Sequence, residues 1–161
     1  MDFIGKYARL NHSEQQLRLA MLDWCVNNGG ELKWEDAVHI GQASEQQISI
    51  EYILSRLEAR HYLRRTDHGN ICFLYPYSAY RTDYHVTLED GRSFYAMCAI
   101  DAMGSAPTFR QSVKICSHCR DTQERLFLHI HPDKGILEIE PDDHFVATYY
   151  DTSQNYIDFN C

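Results

Sequence analysis

The chain has 161 residues, enough for one domain or for two small domains that share a core. Its 23 acidic and 15 basic residues give a net charge of -8, the opposite of the balance found in proteins that grip phosphate backbones, so DNA is not an expected partner. No stretch reaches the roughly 20 apolar residues of a membrane span, and the first residues do not form a signal peptide. We therefore expect a cytoplasmic protein without a membrane partner.

Cysteine is the residue type that bears most on function. The six cysteines are Cys25, Cys72, Cys98, Cys116, Cys119 and Cys161. An even number suggests disulfides in a small secreted protein, but a cytoplasmic chain of this size can build its core without them. We therefore expect reduced thiols, which serve as buried apolar residues, redox groups or metal ligands. Cys25 and Cys72 lie in apolar segments and are interpreted as buried structural thiols.

The first half of the chain has the pattern of three helices and a hairpin. Apolar residues recur at helical spacing over residues 13–27, and a short second helix is predicted over residues 34–39. Ser44 and Gln47 have the spacing of a capping box that opens a third helix. Two short strands then flank the turn Asp67–Asn70. This order predicts a winged-helix-like region over residues 1–75, although its third helix is largely acidic, which argues against DNA binding.

The second predicted domain covers residues 76–161 and is dominated by strands. Asp90-Gly91 is typical of a hairpin turn, and the apolar run from Phe94 to Met103 predicts one short buried helix. The predicted strands cover residues 85–88, 112–116, 126–130, 136–139 and 145–150. The expected fold class is therefore α+β, with the winged-helix-like helical part followed by a small mixed or antiparallel sheet.

Cys98 and Asp101 are the strongest candidates for chemistry. On a helix, residues three apart share one face, with Cβ atoms about 5–6 Å apart. The surrounding residues are apolar, so the carboxylate would be costly to bury unless it had a partner or a proton. Spacing alone also fits a capping aspartate beside an inert buried cysteine.

Cys116 and Cys119 form a Cys-x-x-Cys pair. A structural zinc site normally needs a second half of this kind, for which His129, His131, Cys98 and Cys161 are candidates. A zinc or copper site is one interpretation of these residues. The alternative is that both histidines occupy the solvent face of a strand.

Several segments together resemble the organomercurial (alkylmercury) lyase family. The run Asp90–Met103 is similar to the family pattern D-x-R-x-x-Y-A-x-C-A-x-D, which holds the first catalytic cysteine and the catalytic aspartate. Ser117-His118-Cys119 is similar to a family S-H-C segment, and Tyr75–Ala79 to a family P-x-S-A segment. The family also begins with a winged-helix-like region, so the resemblance covers most of the chain.

The resemblance implies a protein that protonolyses carbon–mercury bonds. Cys98 would bind the metal of R–Hg⁺ as a thiolate, and Asp101 would carry a proton to the departing carbanion. The second catalytic thiol would be Cys161, which lies one residue later than the family cysteine, and Cys119 would be structural. No cofactor is required, and Hg(II) stays on the thiols as the bound product. The implied partners are a small organometallic substrate, low-molecular-weight thiols and a mercuric reductase that accepts the product.

Two other functions fit the same residues. One is non-catalytic binding or sensing of a soft metal (Hg, Cu or Zn), with Cys98, Cys161, Cys116 and Cys119 as ligands. The other is a metal-responsive repressor, against which the acidic third helix argues.

Overall fold

A computed structural model describes residues 10–43, 49–119 and 121–142. The chain divides into two compact units, the first ending at Tyr80 and the second beginning at Arg81. The described residues form five helices and eight strands, so the predicted α+β class is confirmed. None of the helices in these ranges is long and apolar enough to cross a membrane.

The helices of the first unit follow the predicted pattern. They are α1 (His12–Asn28), α2 (Trp34–Gln42) and α3 (Ile50–Ala59). Helix α1 begins with a capping box, in which the Asn11 side chain accepts from the Glu14 amide and the Glu14 carboxylate accepts from the Asn11 amide. The predicted cap at Ser44 lies outside the described residues, and α3 as described begins after the N-cap Ser49.

Three short antiparallel strands complete the first unit. They are β1 (Leu63–Arg65), β2 (Ile71–Leu74) and β3 (Tyr77–Ser78), in the order β1-β2-β3. The predicted hairpin between β1 and β2 is confirmed, and Gly69 has the positive φ of +87° that its turn requires. The order of three helices and a hairpin is therefore confirmed, whereas the winged-helix assignment stays a prediction.

A buried carboxylate ties α1 to α3. The Glu14 side chain is 1% exposed and accepts from Arg56 Nε and from Arg60 Nη1, the latter at 3.2 Å. Burial alone would raise the pKa of Glu14, but the Asn11 amide and the two guanidinium groups outweigh it and lower that pKa overall. Glu14 therefore stays ionised in the folded chain, and its partners compensate for its burial.

Glu14→Ala should lower the free energy of unfolding by about 2–4 kcal/mol, because it removes a buried ion-pair partner and half of the capping box. The matched control is Glu58→Ala. Glu58 pairs with Arg65 at 2.8 Å, but both side chains are about one third exposed, so the loss should stay below about 1 kcal/mol. Urea unfolding at neutral pH measures both values. Equal losses in the two variants would contradict the assigned role of Glu14.

The second unit is a five-stranded antiparallel sheet with two short helices. The strands are β4 (Tyr84–Leu88), β5 (Ser93–Ala96), β6 (Val113–His118), β7 (Arg125–His131) and β8 (Gly135–Glu140), in the order β5-β4-β6-β7-β8. The helices are α4 (Ala99–Met103) and α5 (Ser105–Phe109). The strands predicted at residues 85–88, 112–116, 126–130 and 136–139 are confirmed, and the one predicted at 145–150 lies outside the described residues.

Strand alternation gives this sheet two different faces. The buried face carries Val86, Leu88, Phe94, Ala96, Val113, Ile115, Leu128 and Ile130. Helix α4 contacts β4 and β5, and α5 contacts β7, so the two helices cover this face. The rings of Phe94 and Phe109, 5.5 Å apart, belong to the same contact. The opposite face, called the open face below, carries His85, Tyr95, Lys114, Cys116, Phe127 and His129, all at least partly exposed.

The single helix predicted over Phe94–Met103 is wrong in its first part. Ser93–Ala96 is strand β5, paired antiparallel with β4 across the turn at Asp90-Gly91, and the helix begins only at Ala99. The apolar run contains a strand that buries Phe94 and Ala96, followed by a short helix. Periodicity cannot separate a short buried strand from a buried helix, which explains the error.

Candidate functional site

Cys98 and Asp101 lie where the chain leaves the sheet and enters α4. Cys98 is the N-cap of α4, with an extended backbone (φ −148°, ψ 175°), and Asp101 is the third helical residue. The two residues are therefore not on one face of a longer helix, as the spacing argument assumed. The N-cap and third positions nevertheless bring their side chains together, because this is the spacing of a capping box.

The two side chains interact electrostatically. The Cys98 thiol and the Cys98 amide lie near enough to the Asp101 carboxylate to lower its pKa. The Cys98 sulfur forms no cap hydrogen bond of standard geometry, yet the Ile100 and Asp101 amides lie near enough to lower its pKa slightly. The site thus has one thiol, one carboxylate and three amides.

Burial sets the protonation states of this pair. Asp101 is 7% exposed, and desolvation raises its pKa to about 6 against the opposing effect of the Cys98 thiol and amide. Desolvation, followed by the charge of Asp101, raises the pKa of Cys98 to about 12. At neutral pH the site therefore holds a protonated thiol beside a carboxylate that can take up a proton.

This arrangement can move a proton when a soft cation arrives. A thiolate is a far better ligand than a thiol for such a cation, so binding displaces the Cys98 proton. The neighbouring carboxylate, with its raised pKa, is placed to receive that proton and to return it. Few carboxylates are suited to this task, because exposed ones titrate too low to hold a proton near neutral pH.

Ser105 is a positioning residue that the sequence analysis did not single out. Its hydroxyl is completely buried and donates to the Asp101 carbonyl at 3.1 Å, which joins the end of α4 to the start of α5. A serine four residues after a helical acid is the sequence signal, although such a pattern is too common to find the residue alone.

Cys116 and Cys119 have different structural settings. Cys116 lies on the open face of β6. Cys119 follows the end of β6, where its amide donates to the Glu124 carbonyl at 2.8 Å and Thr122 lies beside its sulfur. Within the described ranges, no three His, Cys, Asp or Glu side chains are placed to hold a metal ion.

The other candidate ligands are dispersed. His129 lies on β7 opposite Lys114, and His131 Nδ1 accepts from the Asp133 and Lys134 amides in the following turn. Cys25 and Cys72 are buried in the first unit, as predicted, and Cys161 lies outside the described residues.

A family model supplies the decisive comparison. The alkylmercury lyase model matches residues 77–161, which is more than half of the chain and includes Cys98, Asp101 and Cys119. The chain belongs to the alkylmercury lyase family. The resemblance noted in the sequence is therefore confirmed, and the Cys98–Asp101 pair lies within the matched residues.

A solved structure of a family relative agrees with the fold. The crystal structure of the mercury-bound form of MerB2 has a TM-score of 0.61 and 18% sequence identity, and the match covers 85% of this chain and 64% of that one. This chain thus spans less than two thirds of that relative's length. A comparison of this sequence with curated proteins found no match.

The raised pKa of Cys98 predicts that its thiol reacts slowly with alkylating reagents. Alkylation of Cys98 by iodoacetamide at pH 8, followed residue by residue by mass spectrometry, should be at least about tenfold slower than that of Cys119. Cys119 is the internal control, because the Thr122 hydroxyl and nearby amides lower its pKa. Asp101→Asn should speed the alkylation of Cys98, since it removes a negative charge beside the sulfur. Equal rates at Cys98 and Cys119 in the unaltered chain would contradict the assignment.

Proposed function

We propose that this chain is an alkylmercury lyase, which protonolyses the carbon–mercury bond of a small organomercurial. The observation that carries the proposal is the placement of the Cys98 thiol at the N-cap of α4, beside the buried Asp101 carboxylate, within the segment that the family model matches. Cys98 is the primary mercury ligand, and Asp101 is the proton carrier. Mercury is the substrate's own metal, and the reaction needs no further cofactor.

The first step is ligand exchange at mercury. Cys98 sulfur displaces the group X from R–Hg–X, a sulfur–mercury bond forms, and X⁻ leaves. The thiol proton passes to the Asp101 carboxylate, which becomes neutral. The buried site favours this transfer, because a neutral carboxylic acid costs much less there than a carboxylate does.

The second step breaks the carbon–mercury bond. Another sulfur donor releases its own proton to water, binds mercury as a thiolate and adds electron density to it, which weakens the bond to carbon. The bonding pair then stays on carbon and takes the proton from Asp101, so R–H leaves and Hg²⁺ remains on sulfur. Cys161 is the candidate second donor in the chain.

The remaining partners complete the cycle. Low-molecular-weight thiols would remove Hg²⁺ from Cys98, because soft sulfur ligands exchange with one another on this ion. A mercuric reductase in the cytoplasm is the proposed acceptor of the product. A detoxifying role follows from this sequence of steps.

The decisive experiment is single-turnover cleavage of phenylmercury in excess thiol, with benzene measured by gas chromatography. We expect benzene from the unaltered chain and a loss of at least about a hundredfold in Cys98→Ser and Asp101→Asn, since general acid–base groups typically contribute that much. Cys72→Ala, in the first unit, is the control and should retain activity. A smaller loss in Cys161→Ser would argue against that residue as the second donor.

Two results would count against the lyase. Benzene release that survives Cys98→Ser would exclude the proposed ligand. Mercury bound to Cys98 without any hydrocarbon would instead favour the alternative function, a soft-metal binding or sensing protein on the same scaffold.

The pH dependence follows from Asp101. The ionised carboxylate accepts the Cys98 proton, so kcat/KM should rise with pH up to about 6 and then level off, with the midpoint near the raised pKa. Asp101→Asn should lose this rise of kcat/KM with pH. Asp90→Asn should keep it, because the hydrogen bond from Arg92 lowers the pKa of Asp90 to about 2, well below the pH range of the rise. A rise that persists in Asp101→Asn would assign the titration to another group.

A further inference from the structure

The open face of the second unit holds a thiol and an imidazole on adjacent strands. Cys116 in β6 is the direct register partner of His85 in β4. Directly opposed residues of an antiparallel pair have Cβ atoms about 4.5–5.5 Å apart and point to the same side. The two residues are therefore direct neighbours on this face, one carrying sulfur and the other an imidazole.

Neighbouring side chains hold both groups in place. The His85 ring packs edge-on against Tyr95, with centroids 5.2 Å apart. Arg125 Nη2 donates to Cys116 Sγ at 3.7 Å, so the sulfur acts as an acceptor. Each group therefore contacts a residue of the next strand outward, Tyr95 in β5 and Arg125 in β7.

A groove begins next to the sulfur. It has a volume of about 450 Å³ and is lined by Arg125, Phe127, Glu138 and Glu140. Phe127 is the cross-strand partner of Cys116 on the side away from His85. Two carboxylates and one guanidinium give the groove a net negative charge, which attracts cations to this part of the open face.

This face is separate from the Cys98 site. Helix α4, which carries Asp101, contacts β4 and β5 over the buried face of the sheet. Cys116 and His85 point to the other side. An ion here would not share ligands with Cys98.

We propose that Cys116 and His85 form a second metal site, for a soft cation that adopts linear two-coordinate geometry. Hg²⁺ and Cu⁺ have this chemistry, and both favour sulfur and imidazole donors. Zinc fits less well, because it takes four ligands and the described residues place no third donor here. On binding, the sulfur–metal bond replaces the sulfur–hydrogen bond, and the proton goes to water. The site goes beyond the proposed lyase reaction and does not require it.

The test uses the full chain with Cys98→Ser, Cys119→Ser and Cys161→Ser, which leaves Cys116 as the exposed thiol beside the buried Cys25 and Cys72. One arm measures the binding of Hg²⁺ to the protein in competition with a monothiol. A second, anaerobic arm measures the binding of Cu⁺ in competition with a chromogenic chelator. We expect one ion per chain. Adding His85→Ala should weaken binding at least about tenfold, as loss of a metal-site residue commonly does. Adding Cys116→Ser should abolish binding, while His129→Ala, an open-face control, should change nothing.

The outcomes separate clearly. Binding in either arm that depends on both Cys116 and His85 supports the site and names its ion. If His85→Ala leaves the metal affinity unchanged, Cys116 binds the ion alone and His85 is not a ligand. If neither ion binds, there is no site. Each result overturns the proposal. Circular dichroism checks that every variant is folded. Because Cys98 is serine throughout, the result is independent of whether the lyase proposal holds.

Discussion

The burial of the Asp101 carboxylate beside Cys98 is the constraint on which the second unit depends. Well below pH 4 the group is neutral in the folded and unfolded chain, and burial costs little. Between about pH 4 and 6 the unfolded chain ionises first, so folding stability falls as pH rises. A shift from 3.8 to about 6 corresponds to roughly 3 kcal/mol at neutral pH. The sheet and its two helices must supply the stability that offsets this cost.

The local fold keeps the pair in contact without a long helix. β5 ends at Ala96, the chain turns, and α4 begins at once with Cys98 as its N-cap. The Ser105 hydroxyl then holds the Asp101 backbone by donating to its carbonyl, and the Cys98 amide lies near its carboxylate. Because α4 contacts the buried face of the sheet, the same packing that builds the core also dehydrates the carboxylate.

The sequence predicted much of this architecture, but not the geometry that makes the site. Turn residues and alternation identified both hairpins and most strands, and family-like motifs identified Cys98 and Asp101. The predicted local structure around Cys98 was wrong, because an apolar run of ten residues does not show where a strand ends and a helix begins. The pairing of His85 with Cys116 could not be predicted, because strand register between β4 and β6 depends on packing across 31 positions of chain.

The proton content of the site bears on its chemistry. Protonolysis of one carbon–mercury bond consumes one proton, and under the proposed reaction that proton comes from the Cys98 thiol. A cysteine with a strongly lowered pKa would bind mercury quickly, but it would already have lost its proton to water. Raising the pKa of Cys98 to about 12 keeps that proton in the site until mercury displaces it, and Asp101, with a pKa of about 6, then holds it only weakly. The two shifts have the same main cause, burial in a low-dielectric pocket, so one structural feature both retains the proton and makes it available for transfer to carbon.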